Sequence, residues 1–267
     1  MYFPLSYSPV ACHFQHCSDA AAQVQLRFYA QLNDFLAPAL RQKEIWHSLN
    51  RRASIKDVIE SFGVPHTEVE LILVNGEALD FSHILQDGER ISVYPAFARF
   101  AVPDSMRLRP ELPGVPRFVV DVNLGRLARY LRLLGFDCLY RNDYDDAVIA
   151  QTAAGQGRVV LTRDRTLLRR RKIVYGYYVR AVQPKQQVRE VLLRFELSRR
   201  IAPFTRCTSC NGILQKTDKQ SIDHLLQPLT RKYYHDFLIC PDCGRVYWQG
   251  SHVARAEQLL EELTGRR

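Results

Sequence analysis

Two sets of side chains in this sequence have the types and spacing that do chemistry. The first is four cysteines, Cys207-x2-Cys210 and, after 29 intervening residues, Cys240-x2-Cys243. Each pair sits in a short turn that brings two thiolates to one ion, and four thiolates close a tetrahedral shell around zinc. Gly212 and Gly244 follow the pairs and let the backbone curl beneath the sulfurs. A closed shell leaves no open position for a substrate, so this zinc is read as structural, adding folding energy to a segment with a thin core. A disulfide or redox pair is the alternative, but two such pairs in one short segment favour metal. The second set is acidic: Asp121, Asp143, Asp145, Asp146 and Asp164. Clustered carboxylates repel and raise one another's pKa, and Mg²⁺ or Mn²⁺, hard cations that take oxygen ligands, offset that repulsion. With a phosphodiester bound, such ions activate water and stabilise charge on the phosphorus.

Bringing those carboxylates together requires a particular scaffold. Asp121 ends the apolar run 117–120, and Leu124, Leu127, Ala128, Leu131 and Leu134 follow at helical spacing until Gly135. Residues 136–140 read as a second strand, the acidic turn 143–146 opens another helix, and Val159-Val160-Leu161-Thr162 is a third strand running into Arg163-Asp164. Continuous apolar strands alternating with helices imply a parallel sheet covered on both faces, with ligands bound at the carboxyl ends of its strands. Asp121 and Asp164 fall at those ends. Three helix caps in a row would give the same pattern.

The chain has 267 residues and a net charge of +9, with 46% apolar and 24% charged residues, which suits a globular protein of two domains and a small appendage. No apolar run approaches the ~20 residues that span a bilayer, no signal peptide is evident, and the paired cysteines suit a reducing compartment, so the expectation is a soluble cytoplasmic protein without membrane contact. The charge is uneven: residues 1–100 carry 8 Lys/Arg and 11 Asp/Glu, and residues 101–267 carry 29 and 17. A basic excess confined to one part of the chain is the footprint of a polyanion, and its Arg-rich make-up suits nucleic-acid phosphates. Arg126, Arg129, Arg132, Arg163 and Arg165 are the expected backbone contacts, and Trp248 and His252, just past the second cysteine pair, could stack on bases or simply pack within the ribbon.

Residues 1–22 read as a flexible tail, in which Cys12-His13 and His16-Cys17 are too mobile to preorganise a metal site. Residues 23–97 read as strand, strand, helix, strand, strand, with Ser54 as a helix cap and Asn75-Gly76 as a tight turn. With Asp87-Gly88-Glu89-Arg90-Ile91 in place, this unit resembles the β-grasp domains of the ubiquitin-like sulfur carriers. Those carriers use a free C-terminal Gly-Gly, whereas here Tyr94 is followed by Pro95-Ala96-Phe97 and 170 further residues, so the unit is read as a binding or scaffolding module open to a protein partner. Four prolines mark residues 98–116 as an extended linker, residues 117–200 form the α/β domain, and residues 201–267 form the ribbon and a C-terminal helix.

Phe118-Val119-Val120-Asp121, the run from Leu124 to Asp137, Leu161-Thr162-Arg163-Asp164, and the strings Cys207-Thr208-Ser209-Cys210-Asn211 and Cys240 to His252 resemble the Mut7-C family. That resemblance implies a PIN-like ribonuclease fold fused to a zinc ribbon, with an N-terminal ubiquitin-like domain. It implies metal-dependent RNA cleavage by Asp121, Asp164 and one acidic residue of the 143–146 turn. Asp146, which leads directly into the helix, is the choice, with Asp143 and Asp145 as alternatives. A non-catalytic RNA-binding adaptor and a sulfur-transfer accessory to RNA modification are the competing readings.

Overall fold

The computed structural model describes residues 22–96, 103–112, 114–248 and 261–262. Residues 1–21 of the expected tail, His252 and all but two residues of the expected C-terminal helix lie outside them, while Ala22, expected in the tail, begins the first strand.

Alternating polar and apolar residues build the first sheet. Strands β1 (Ala22–Phe28), β2 (Ile45–Leu49), β3 (Val69–Val74), β4 (Glu77–Ala78) and β5 (Arg90–Pro95) lie in the order β2-β1-β5-β3-β4, with β1 antiparallel to β2 and parallel to β5. Helix α1 (Ile55–Ser61) is started by the Ser54 hydroxyl, which accepts from the Asp57 N–H at 3.2 Å, and it buries Ile55, Val58 and Ile59 on that sheet. Asn75 and Gly76 turn β3 into β4 with φ of +51° and +94°, the left-handed pair a two-residue hairpin needs. This is the β-grasp arrangement. Residues 30–40, without periodicity in sequence, form two 3-10 turns, Ala30–Phe35 and Pro38–Leu40.

The second unit is a parallel sheet. Strands β6 (Phe118–Val120), β7 (Cys138–Leu139), β8 (Val159–Thr162) and β9 (Gly176–Tyr178) take the order β7-β6-β8-β9. Phe118, Val120, Val159 and Leu161 pack with α2 (Gly125–Leu133) and α5 (Pro184–Arg194) on one face. Val119 and Val160 pack with α3 (Asp146–Gln156) and α4 (Arg165–Leu168) on the other. Both faces are covered, as the uninterrupted apolar strands demand. Because the chain leaves β6 toward β7 and then crosses back to β8, the order reverses between β6 and β8. That is where α/β sheets open a crevice.

The third unit is an antiparallel sheet, β10 (Gln215–Thr217), β11 (Phe237–Ile239) and β12 (Val246–Trp248). Between the cysteine pairs the chain also forms α6 (Lys219–Ile222) and α7 (Pro228–Tyr233), the latter begun by Pro228, whose fixed φ suits a first helical turn.

The units are joined by specific contacts. Glu68, only 6% exposed, accepts the Tyr178 N–H at 2.6 Å and pairs with Arg180 at 2.9 Å. His66 Nε2 meets the Ile173 carbonyl at 3.0 Å. The prolyl segment is not free either: Arg109 donates to the Val69 carbonyl and to Glu70, while Leu108 and Leu112 pack against the first and second cores. Proline content signals extension but is silent about the apolar and charged residues that pin such a segment down. No helix of the described residues is long and apolar enough to cross a membrane.

Candidate active site and metal centre

Asp121 lies one residue past β6, where the strand order reverses, and is 5% exposed. Its carboxylate accepts the Thr162 hydroxyl at 2.6 Å from the end of β8, and the same hydroxyl oxygen accepts the Asp164 N–H at 2.8 Å. Neighbouring strands in parallel register thus tie the two expected acidic residues together through one threonine. No cation pairs with the Asp121 carboxylate among the described residues. A buried anion with a single hydroxyl partner is poorly compensated, and its oxygen chemistry fits a hard divalent cation.

The remaining acidic residues are engaged locally. Asp164 Oδ1 accepts from the Thr166 N–H at 2.6 Å and so caps α4; Asp145 Oδ1 accepts from the Val148 N–H at 2.8 Å and caps α3. Asp146 pairs with Arg170 at 3.3 Å, and Asp143 makes a two-pronged pair with Arg141 that holds its carboxyl below the usual range. Asp121, Asp146 and Asp164 do not form a tight three-carboxylate group. The four cysteines are the only set of three or more metal-ligating side chains within 4.8 Å of one another among the described residues.

The arginines divide. Arg126 and Arg129 are exposed on α2 and line a crevice formed with Tyr140 and the start of α5, without an ion pair or hydrogen bond among the described residues. Arg132, expected on the same RNA-facing surface, is instead 3% exposed. Its guanidinium donates to the carbonyls of Cys138, Ser209 and Tyr140 at 2.8, 2.6 and 3.3 Å. The helical period carries it inward, three residues on from Arg129, to where loop carbonyls need donors. Arg163 donates to the Val179, Arg180 and Ala181 carbonyls, and Arg165 reaches the Phe35 carbonyl and lies over the Phe35 and Tyr178 rings. Trp248 is half-buried and packs beside Tyr234 and the Ile222, Leu226 and Phe237 cluster, the packing alternative.

In the metal centre, Cys207 and Cys243 sulfurs are 3.6 Å apart and those of Cys210 and Cys240 are 3.4 Å apart, near the ~3.8 Å edge of a tetrahedron with zinc–sulfur bonds of about 2.3 Å. The Tyr247 hydroxyl accepts the Thr208 N–H and lies 3.1 Å from Cys207 Sγ. Burial opposes ionisation of that thiol, but the Tyr247 hydroxyl and the Cys210 and Ser209 N–H groups outweigh it and bring Cys207 down to about 6. The left-handed residue of the first turn is Asn211, φ +76°, rather than Gly212. Gly212 is required by proximity, since a Cβ there would lie 2.2 Å from Asp242 Oδ2 and 2.9 Å from Cys240 Sγ.

Sequence reasoning missed the partners that seat this centre on the parallel sheet. Asn211 donates to Asp137 at 3.0 Å and accepts the Cys138 N–H at 2.9 Å; Asp137 also pairs with Arg158 at 2.6 Å. Burial works against the Asp137 charge, but these donors prevail and hold its carboxyl below the usual range. Gln187 and Tyr140, which line the crevice beside Arg126 and Arg129, carry no sequence signal beyond their place after strand ends.

A family model described as the Mut7-C RNAse domain matches residues 116–260, and one described as Mut7-C ubiquitin matches residues 21–101. No curated protein and no solved structure matches the chain.

Proposed function

The chain belongs to the Mut7-C RNase-domain family, and from that premise we propose that it is a metal-dependent ribonuclease whose reacting centre lies between the ends of β6 and β8. The observation that carries this reading is Asp121: a buried carboxylate with no cation partner among the described residues, joined through Thr162 to Asp164 at the reversal of strand order. Asp121 and Asp164 would hold Mg²⁺ or Mn²⁺, with Asp146 as a further ligand once released from Arg170. When bound, the ion lowers the pKa of a coordinated water and polarises the phosphodiester. Thr162 fixes the orientation of the Asp121 carboxyl and leaves its other oxygen for the ion. Arg126 and Arg129 bind the polyanion backbone beside it. The four cysteines would hold zinc in a structural role, placing the ribbon against the sheet, and the β-grasp module braces β9 on the far side.

Labelled single-stranded RNA incubated with and without Mn²⁺ tests this. Metal-dependent cleavage by the wild type, lost in both Asp121→Asn and Asp164→Asn, supports it; cleavage retained in both variants overturns it. A second reading, a non-catalytic RNA-binding adaptor, has its own observation: Asp145 and Asp164 both serve as helix caps, and the carboxylates do not form a tight triad. RNA binding without cleavage in the wild type would favour that adaptor.

A further inference from the structure

The crevice at the start of α2, walled from Asn123 onward, two residues past Asp121 in the chain, has a shape and lining of its own. It is an open cavity of about 520 Å³, walled by the start of α2 (Asn123, Arg126, Arg129), by Tyr140 after β7, and by Pro184 and Gln187 at the start of α5. That volume lies in the roughly 300–1,000 Å³ range of clefts that take a small organic ligand, enough for one nucleotide.

Its chemistry is divided in the same way as a nucleotide's. Arg126 and Arg129 are one helical turn apart on an exposed face and have no protein partner among the described residues, in contrast with Arg132, Arg163 and Arg165, which hold protein carbonyls. Two unpaired guanidinium groups facing a cavity suit phosphate oxygens. Tyr140 supplies a ring, pinned by its hydroxyl donating to the Val122 carbonyl at 3.2 Å. Gly125 is what lets that ring lie so close, since a Cβ there would come within 2.5 Å of the hydroxyl oxygen. A fixed, half-buried ring at a cavity wall is a stacking platform for an unpaired base. Gln187 is 5% exposed and its amide nitrogen is committed to the Ala181 and Val182 carbonyls, so the side chain is a fixed part of the wall.

We propose that this cavity is a subsite for a single unstacked nucleotide of an RNA strand, its base on Tyr140 and its flanking phosphates on Arg126 and Arg129. The proposal deepens the ribonuclease reading and rests on it for the identity of the polyanion. A base engaged in a duplex cannot enter, so the subsite selects single strands.

The test is equilibrium binding of a fluorescein-labelled oligouridylate, alone and annealed to its complement, to the full chain without added divalent cations. The expected result is tighter binding of the single strand than of the duplex. Arg126→Ala with Arg129→Ala should weaken it at least tenfold and flatten the log–log salt dependence by about 1.4, two phosphate contacts at about 0.7 each. Tyr140→Ala should cost roughly 5- to 100-fold, while Tyr140→Phe, which keeps the ring, binds as wild type. Equal binding of duplex and single strand, or an unchanged salt slope in the exposed arginine double variant, overturns the proposal whether or not Tyr140→Ala folds. Because binding is read without chemistry, a wild type that binds in this way but never cleaves would remove the nuclease reading and leave the subsite standing.

Discussion

The Arg132 guanidinium donates to the Ser209 carbonyl at 2.6 Å, so a side chain on α2 holds the loop between the first two cysteines. The same side chain serves Cys138 and Tyr140 around the end of β7. The parallel sheet and the cysteine centre therefore share one buried cation. Arg132→Ala strips the buried Cys138 carbonyl and the less buried Ser209 and Tyr140 carbonyls of their donor and is expected to cost about 2–4 kcal/mol. Thermal melting would measure it. Zinc release by a chelator, followed with a colorimetric indicator, should be faster in the variant, and one zinc per chain is expected in the wild type.

The acidic residues can be sorted by swaps that keep shape and change charge. Asparagine caps a helix as well as aspartate does, so Asp164→Asn should melt within about 1 kcal/mol of wild type yet lose about 100-fold or more of metal-dependent cleavage. Asp121→Asn keeps the shape and an oxygen for the Thr162 hydroxyl, at a carboxylate with no cation partner among the described residues, and should be as stable as wild type or more so, with the same loss of cleavage. Asp145→Ala, by contrast, should cost about 0.5–2 kcal/mol of stability while cleavage at saturating metal is unchanged.

Asp137 links acid stability to the cysteine loop. Its carboxyl titrates lower in the folded chain than the ~3.9 of an unfolded aspartate. Stability from this group is therefore fully present above about pH 4 and lost as pH falls through the depressed folded value. Urea midpoints measured from pH 6 down to pH 3 should fall more steeply in wild type than in Asp137→Asn.

Glu68 and Arg180 join the β-grasp module to the parallel sheet. Removing Arg180 leaves a nearly buried carboxylate with the Tyr178 N–H as its remaining hydrogen bond among the described residues and Arg194 as a more distant cation. Arg180→Ala should cost about 3 kcal/mol, and adding Glu68→Gln should recover part of it. Paired melting curves of the single and double variants give the coupling directly.

The sequence made some of these features plain and hid others, for physical reasons. Strands buried on both faces, such as 118–120 and 159–162, announce themselves as apolar runs, and Ser54, Asp145 and Asp164 mark helix starts because capping is a local interaction. The four cysteines declare their centre by spacing alone. Arg132, Asn211 and Glu68 act across 77, 74 and 110 residues of chain, and no local pattern encodes a partner that far away. Strand β9 was equally opaque: Gly176-Tyr177-Tyr178 is short, and a Cβ at Gly176 would crowd Leu168 at 2.6 Å and Thr67 at 3.2 Å, contacts no local pattern encodes. The spread of the carboxylates was hidden too, since an acidic turn reads the same whether its members face an ion, an arginine or a helix N–H.

An open parallel sheet ends laterally in two strands with unspent backbone groups, a template for pairing with other chains. Here groups on both edges are taken up by the flanking units. Along β7, the Cys138 N–H goes to Asn211 and its carbonyl to Arg132; along β9, the Tyr178 N–H goes to Glu68. The ribbon and the β-grasp module act as bookends, so each is also a guard against self-association. A fragment holding residues 117–200 alone would expose both strands at once, and sedimentation should find it in soluble multimers or precipitate while the full chain stays at a single size.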